Sequence, residues 1–535
     1  MNMKVADYLL QTLEKNGVSQ IFGNPGTTEL PLVKACEQRP HLRYVVALSE
    51  VSAVPMADGY ARANRTLGVV NLHVAPGLGN GMGTLYTAAT AGTPMLVIIG
   101  GQDRRFLHTN PILWGPVEKM ADCVCKGVFS LSSRFDAAAN IRRALRLALS
   151  PPYAPVALIC PPDLLESTIQ ELPSSVTPLS LGGLSLEEAR RYAKFLTTYR
   201  NPAFIAAEDL HWAKASVAMT QLAERLGAPI YAAPYTGVLP VSSQSTRYAG
   251  YLPPNLKQIE QRLASHDALF FIGGRGLRNT LYSEAKLPQA KIWIGHDSRA
   301  FATDGEYEIA TVCDIREALI TITAQVRKKK AGHPSPTRTP MALPTQSPKA
   351  LHPTRAVEAL LRQFKQALWV DESGLSTSDV RQWMQLKAGD YLINGSGGIG
   401  WGLAASVGAA LGQPKRQIVA LIGDGSALYA SEALWSAEHH GTHILLIILS
   451  NRRYATLNEA ASRLAGGALK SFTIEPPVID FSGLARLYDW DYESASTTSE
   501  LTKILKKIGS ELRSNTLLEL KLDPELKPVT AARHF

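Results

Sequence analysis

Short continuous apolar runs alternate with amphipathic stretches along the whole chain, and where both flanks can be read the unit is strand, helix, strand. Gln417 to Gly423 is one such run, closing on Asp424-Gly425-Ser426, which reads as a buried strand ending in a tight turn. A helical stretch from Ser431 to His440 and a second apolar strand, Ile444 to Ser450, complete a βαβ unit. A right-handed crossover lays its two parallel strands side by side, so Asp424 and Asn451 emerge together at the carboxyl edge, where such sheets place ligands. The N-terminal region predicts a helix (Val5 to Asn16), a strand (Gln20 to Gly23) and the turn Asn24-Pro25-Gly26-Thr27-Thr28-Glu29. A strand from Tyr44 closing on Glu50, the helix Val51 to Arg62, and the strand Gly68 to His73 before a glycine-rich helix entry (Val74 to Gly83) follow. Between these regions Pro202 to Ala207, Ala268 to Gly274 and Ile292 to Asp297 read as short strands among helices, a Rossmann-like layer.

A chain of 535 residues exceeds one ordinary core and suggests about three domains. Two breaks divide the pattern: the polar stretch Leu172 to Pro178, after the strand Val156 to Cys160, and Lys328 to His352, rich in Pro, Thr, Ser and Lys without hydrophobic period. The reading is α/β, three doubly wound parallel-sheet domains: residues 1–175, 185–327 and 353–535, with a linker at 328–352. With 45% hydrophobic and 19% charged residues the chain should fold fully. It has no apolar run long enough to span a membrane and no basic-then-apolar leader pattern, so a cytoplasmic protein without membrane contact is expected. The net charge of +9 raises nucleic acid as a partner, but the one sharp basic run, Lys328-Lys329-Lys330, falls in the linker and reads as solvated. The five cysteines are scattered, and Cys123-Val124-Cys125 has the wrong spacing for zinc or redox chemistry, so all are expected as core thiols.

Asp424 and Asn451 are the first candidates for chemistry. A carboxylate and a carboxamide oxygen suit a hard cation, and Mg²⁺ commonly completes its octahedron with phosphate oxygens and water. Gly425 and Ser426 offer backbone N–H groups beside it, a concavity that accepts a diphosphate. Gly-Asp-Gly alone marks a turn, because these residues tolerate positive φ; the flanking strands and the distance to Asn451 change that reading. With these residues in place the segment resembles the cofactor motif of thiamin-diphosphate enzymes, which begins Gly-Asp-Gly and ends in Asn. The resemblance implies thiamin diphosphate and Mg²⁺ as cofactors, the metal held by Asp424, Asn451 and the backbone carbonyl of Arg453. The chain departs at Ser450-Asn451-Arg452, where the family often has Asn-Asn-Gly; a carbonyl ligand tolerates any side chain, so the metal site survives.

Glu50 at a strand end and helix start can serve the helix dipole alone. In the family, however, a Glu at this place, before a helix containing Ala57-Asp58-Gly59-Tyr60-Ala61-Arg62, hydrogen-bonds the aminopyrimidine of the cofactor and so promotes loss of the thiazolium proton. That role needs a carboxyl group in a low-dielectric place. The glycine run after His73 fails as a dinucleotide fingerprint, since Met82 stands where the third glycine belongs. The segment instead resembles benzoylformate decarboxylase-like enzymes, which makes His73 an acid/base near the substrate carbonyl and Thr27, where the group shows Ser, a hydroxyl for the substrate carboxylate. A second catalytic His of that group should follow Gly273-Gly274-Arg275-Gly276-Leu277-Arg278, where this chain reads Asn279-Thr280.

The same resemblance gives Ser376 a hydroxyl for the diphosphate, Gly397 a carbonyl for the aminopyrimidine, and Ile399 the wedge that bends the cofactor, with Tyr454 beside it. Thr456, Leu457 and Ala460 would line the substrate pocket with Thr27 and His73. No nucleotide motif marks the middle region, so FAD is not expected. The implied reaction is non-oxidative decarboxylation of a 2-oxo acid, a carbon–carbon lyase step: the ylide adds to the carbonyl, CO₂ departs, and the enamine is protonated to an aldehyde. A carboligase of the acetolactate synthase type, passing the enamine to a second aldehyde or keto compound, and a non-catalytic relative that only binds the cofactor are the alternatives. In the family the two halves of the cofactor site come from two subunits, which implies a homodimer or homotetramer.

Overall fold

The computed structural model describes residues 2–274, 276–278, 286–287, 289–299, 306–327, 341–509 and 512–531. Three six-stranded parallel sheets carry the chain, with helices on both faces. The N-terminal sheet runs in the order Arg43–Val46, Gln20–Gly23, Gly68–Leu72, Met95–Gly100, Pro155–Cys160, Val128–Ser130. The C-terminal sheet runs Tyr391–Ile393, Leu368–Glu372, Ile418–Gly423, Ile444–Ser450, Thr516–Lys521, Asp491–Ala495. Numbered by chain order within each sheet, both read second, first, third, fourth, sixth, fifth. The middle sheet, Tyr248–Tyr251, Ile230–Ala232, Pro202–Ala206, Ala268–Ile272, Ala290–Gly295, Ile309–Val312, reads third, second, first, fourth, fifth, sixth, the order of dinucleotide-binding folds. Most strands, the edge strands aside, are buried on both faces, which is why they read as continuous apolar runs with no polar alternation.

Contacts divide the chain into two compact units, Met1–Ser180 with Ser396–Lys415 and Tyr429–Thr442, and Leu181–Gly395 with Arg416–Leu428 and His443–Phe535. Within the first, one core gathers Tyr8, Leu10, Ile21, Val69, Ile98, Leu145 and Leu158. The helix Gly402–Gly412 packs on the helix Glu50–Asn64 with no room for a side chain at Gly59, where a Cβ would come within 2.0 Å of the Ala405 carbonyl oxygen. A buried cluster ties the same two helices: Arg62 pairs with Asp58, which also accepts from Thr93 Oγ1 at 2.6 Å and from the Trp401 indole N–H at 2.7 Å. The guanidinium lies 4.6 Å above the Trp401 ring. Within the second unit, the middle and C-terminal sheets contribute to one core that includes Phe204, Phe270, Trp369, Leu421 and Ile447.

Several expectations are revised. The chain does not turn tightly after Gly423 but enters the helix Asp424–Tyr429, followed by Ala433–His439. The strand before Glu50 ends at Val46, and Glu50 is the first residue of its helix, capped by Ser49. Cys123 is exposed, unlike the other four cysteines: the short helix Val117–Asp122 turns Val117 and Ala121 inward and leaves the residue after it on the outer side. Of the linker, residues 328–340 lie outside the described residues, as do Asn279 and Thr280; Leu351 at its far end is buried and bridges to Leu522. Among the described residues no helix is long and apolar enough to cross a membrane.

Candidate active site

In the first unit the polar residues gather at the carboxyl ends of the first three strands. Glu50 is buried, and its Oε2 accepts from Asn80 Nδ2 at 3.2 Å. Gly77 makes room for it, since a Cβ there would approach Glu50 Oε1 to 2.7 Å. His73, at the end of the strand Gly68–Leu72, brings Nδ1 to 2.7 Å from Glu29 Oε2. Thr28 Oγ1 lies 2.6 Å from Glu29 Oε1 and 3.3 Å from the same His73 nitrogen. Thr27 is exposed, one position away from the hydroxyl that enters this network. Val74, directly after His73, has φ +41°, a genuine outlier for a β-branched side chain and a sign of strain held in place by its surroundings. Also in this unit, Gly397 has φ +83° and Ile399 is 39% exposed, in a loop whose Ser396 hydroxyl meets Thr87 at 2.7 Å.

In the second unit, register places Gly423 opposite Leu449, so Asp424 and Asn451 leave adjacent strands at one edge as the spacing predicts. Asp424 is buried and held by backbone donors alone: Gly425 N–H to Oδ1 at 2.8 Å, and the N–H groups of Asn451 and Arg452 to Oδ2 at 3.0 and 2.6 Å. Among the described residues no cationic side chain pairs with it. Burial, with a smaller push from Glu475, raises its carboxyl to about 6 against the pull of those three donors. Asn451 Oδ1 accepts from Arg453 N–H at 3.1 Å, and Arg452 between them has φ +63°. Arg453 reaches Glu525 at 3.0 Å. The Tyr454 ring covers Gly425, within 2.6 Å of where a Cβ would stand, and Thr456 Oγ1 packs against Gly374 in the turn that carries buried Ser376. Ser426 is buried, Leu457 is exposed and Ala460 half-buried.

Thus Asp424 meets Asn451, Tyr454 meets Gly425, and Thr456 meets the Ser376 turn, while Glu50 and His73 sit in a cluster with Asn80, Glu29 and Thr28. The last three were missed in the sequence. Glu29 had a usable signal, a carboxylate in a Gly-Thr-Thr-Glu turn directly after a strand; Asn80, inside a glycine run, had none.

Asp424 is thus a buried carboxylate that accepts three backbone N–H groups and, among the described residues, has no side-chain cation beside it. Models of the thiamine pyrophosphate enzymes match this chain three times: the N-terminal TPP binding domain at residues 3–120, the central domain at 189–322 and the C-terminal TPP binding domain at 372–519. Benzoylformate decarboxylase of Pseudomonas aeruginosa is 32% identical over 93% of this chain and 94% of its own length. The chain belongs to the thiamine pyrophosphate enzymes. An acetolactate synthase large subunit of Haemophilus influenzae is 24% identical over 97% of the chain and 94% of its own length. In structure, the Rhodococcus jostii thiamine diphosphate-dependent 4-hydroxybenzoylformate decarboxylase superposes with a TM-score of 0.89 at 27% identity, covering 97% of this chain and 99% of that one. The family therefore spans decarboxylases and carboligases, and this member is a thiamin-diphosphate-dependent enzyme.

Proposed function

We propose that this enzyme is a Mg²⁺-dependent, non-oxidative decarboxylase of a 2-oxo acid. The observation that carries the reading is the part-buried His73–Glu29 contact in a chain similar over 93% of its length to benzoylformate decarboxylase. Thiamin diphosphate supplies the electron sink for the bond to the departing carboxylate. Asp424, Asn451 and the carbonyl of Arg453 would hold Mg²⁺, and Ser376, Gly425, Ser426 and Tyr454 would meet the diphosphate. Glu50, buried, would accept a hydrogen bond from the aminopyrimidine, and the Gly397 carbonyl and Ile399 would help to hold the cofactor. His73 moves a proton at the substrate carbonyl, Thr27 meets the substrate carboxylate, and Thr456, Leu457 and Ala460 shape the acyl pocket. The domain limits 1–175, 185–327 and 353–535, a homodimer or homotetramer, and a cytoplasmic setting belong to the same reading.

Carboligation is the second reading, favoured by Asn279-Thr280 where decarboxylases of this group carry a second His: slower protonation leaves more time for a second carbonyl compound. CO₂ release from a panel of 2-oxo acids, with and without acceptor aldehydes, separates the two. Aldehyde as sole product supports the decarboxylase, a 2-hydroxyketone supports the carboligase, and no CO₂ from any 2-oxo acid in the Mg²⁺ and thiamin-diphosphate-loaded enzyme rejects both.

A further inference from the structure

We propose that Glu29 is a positioning residue that fixes His73 as its Nδ1–H tautomer and so reserves Nε2 as the atom that takes up and gives back a proton. The proposal rests on the reading above and adds the device that sets its proton carrier. Glu29 Oε2 sits 2.7 Å from His73 Nδ1 and also accepts the Gly26 N–H at 2.9 Å. Both Glu29 oxygens act as acceptors, Oε1 from the Thr28 hydroxyl and Oε2 from the Gly26 N–H, so the proton of the His73 contact lies on the ring. Thr28 cannot replace it as donor: its single hydroxyl proton is directed at Glu29 Oε1, 2.6 Å away. Among the described residues Nε2 has no hydrogen-bond partner. A free imidazole in water prefers the proton on Nε2, so Glu29 reverses the intrinsic preference, as a carboxylate behind a working histidine does elsewhere.

The site is built for this contact. The Glu29 side chain is 2% exposed. Gly100, the last residue of the neighbouring strand, leaves the space that its carboxylate fills, because a Cβ there would fall 1.6 Å from Oε1. The backbone leaves the strand directly after His73 through the strained φ of Val74.

The test uses the full chain labelled with ¹³C and ¹⁵N histidine, the His73 signals assigned by their loss in His73→Gln. Without cofactor, the ring shifts should report the Nδ1–H tautomer in the wild type, a mixture in Glu29→Gln, and mainly Nε2–H in Glu29→Ala. Turnover should fall about tenfold to a hundredfold in Glu29→Ala, while calorimetry gives a thiamin diphosphate affinity within about twofold of wild type. A wild-type Nε2–H tautomer, or the same tautomer in wild type and Glu29→Ala, overturns the proposal. If Glu29→Ala does not fold, Glu29→Gln decides: an unshifted tautomer with unchanged turnover rejects the role. Failure of the wild type to take up thiamin diphosphate would overturn the functional reading itself, independently of the tautomer measured.

Discussion

The N-terminal and C-terminal sheets share one strand order, and each carries its polar residues on the loops that leave the carboxyl ends of its strands, yet the two edges are chemically unlike. At the N-terminal edge the buried carboxylate Glu29 faces an imidazole. At the C-terminal edge the buried carboxylate Asp424 meets, among the described residues, only amide N–H groups. A topology thus fixes where chemistry can stand, and the partner of each carboxylate fixes which chemistry it is. On the function proposed above, the carboxylate beside a histidine serves a proton, and the one with oriented amides and no paired side-chain cation among the described residues serves a metal ion. Asp58 is the third case, wholly buried but neutralised by Arg62, and that is the structural use of the same group.

If this sorting is right, removing the three charges has three different costs. Asp58→Asn leaves the Arg62 guanidinium buried without its counter-ion, and loss of one member of such a pair costs about 3–5 kcal/mol. The urea midpoint should fall accordingly, and a change below about 1 kcal/mol would remove Asp58 from the structural class. Asp424→Asn should do the reverse: Mg²⁺-dependent uptake of thiamin diphosphate weakens at least about a hundredfold, while the apoprotein unfolds within about 1 kcal/mol of wild type, because its buried carboxyl is already unfavourable when ionised. A destabilisation as large as that of Asp58→Asn, with uptake intact, would break the contrast.

Asp379, in the helix Thr377–Trp383, supplies a graded test. It is buried, takes the Thr530 hydroxyl at 2.5 Å, and burial raises it from 3.8 to about 6. A carboxyl whose folded value exceeds its unfolded one adds stability while it is protonated in the fold, fully present below about 4 and lost as pH rises through about 6. That gap corresponds to roughly 3 kcal/mol. Stability of the apoprotein from pH 4 to pH 6.5 should therefore carry a downward contribution with rising pH that disappears in Asp379→Asn; an unchanged slope in the variant would refute it.

Most strands were legible because burial on both faces makes them unbroken apolar runs: Gln20–Gly23 and Ile444–Ser450 coincide with their expected ranges. The Asp424–Asn451 juxtaposition followed from the βαβ crossover alone. Other features were not legible for identifiable reasons. Gly425 and Ser426 have turn chemistry, but the helix Asp424–Tyr429 forms directly after the strand, so local propensity lost to tertiary setting. Thr27 and Thr28 are chemically identical, and only the fold decides which hydroxyl meets His73. The Asp58–Trp401 bond joins residues 343 positions apart, a pairing that no local pattern encodes.

The smallest test concerns Arg452, whose φ of +63° places a side chain where glycine is at ease. Its N–H, not its side chain, serves Asp424, donating at 2.6 Å. The guanidinium is half exposed and lies 3.9 Å from Glu475, an exposed-pair interaction worth little. Left-handed backbone costs about 1–2 kcal/mol for such a residue, and glycine returns roughly 0.5–1 kcal/mol of that through the freer unfolded chain. Arg452→Gly should therefore stabilise the apoprotein by about 0.5–1 kcal/mol and leave Mg²⁺-dependent cofactor affinity within about twofold. A loss of affinity beyond tenfold would mean that the guanidinium itself belongs to the anion site, and the C-terminal edge would then hold its diphosphate with a side-chain cation as well as with amides.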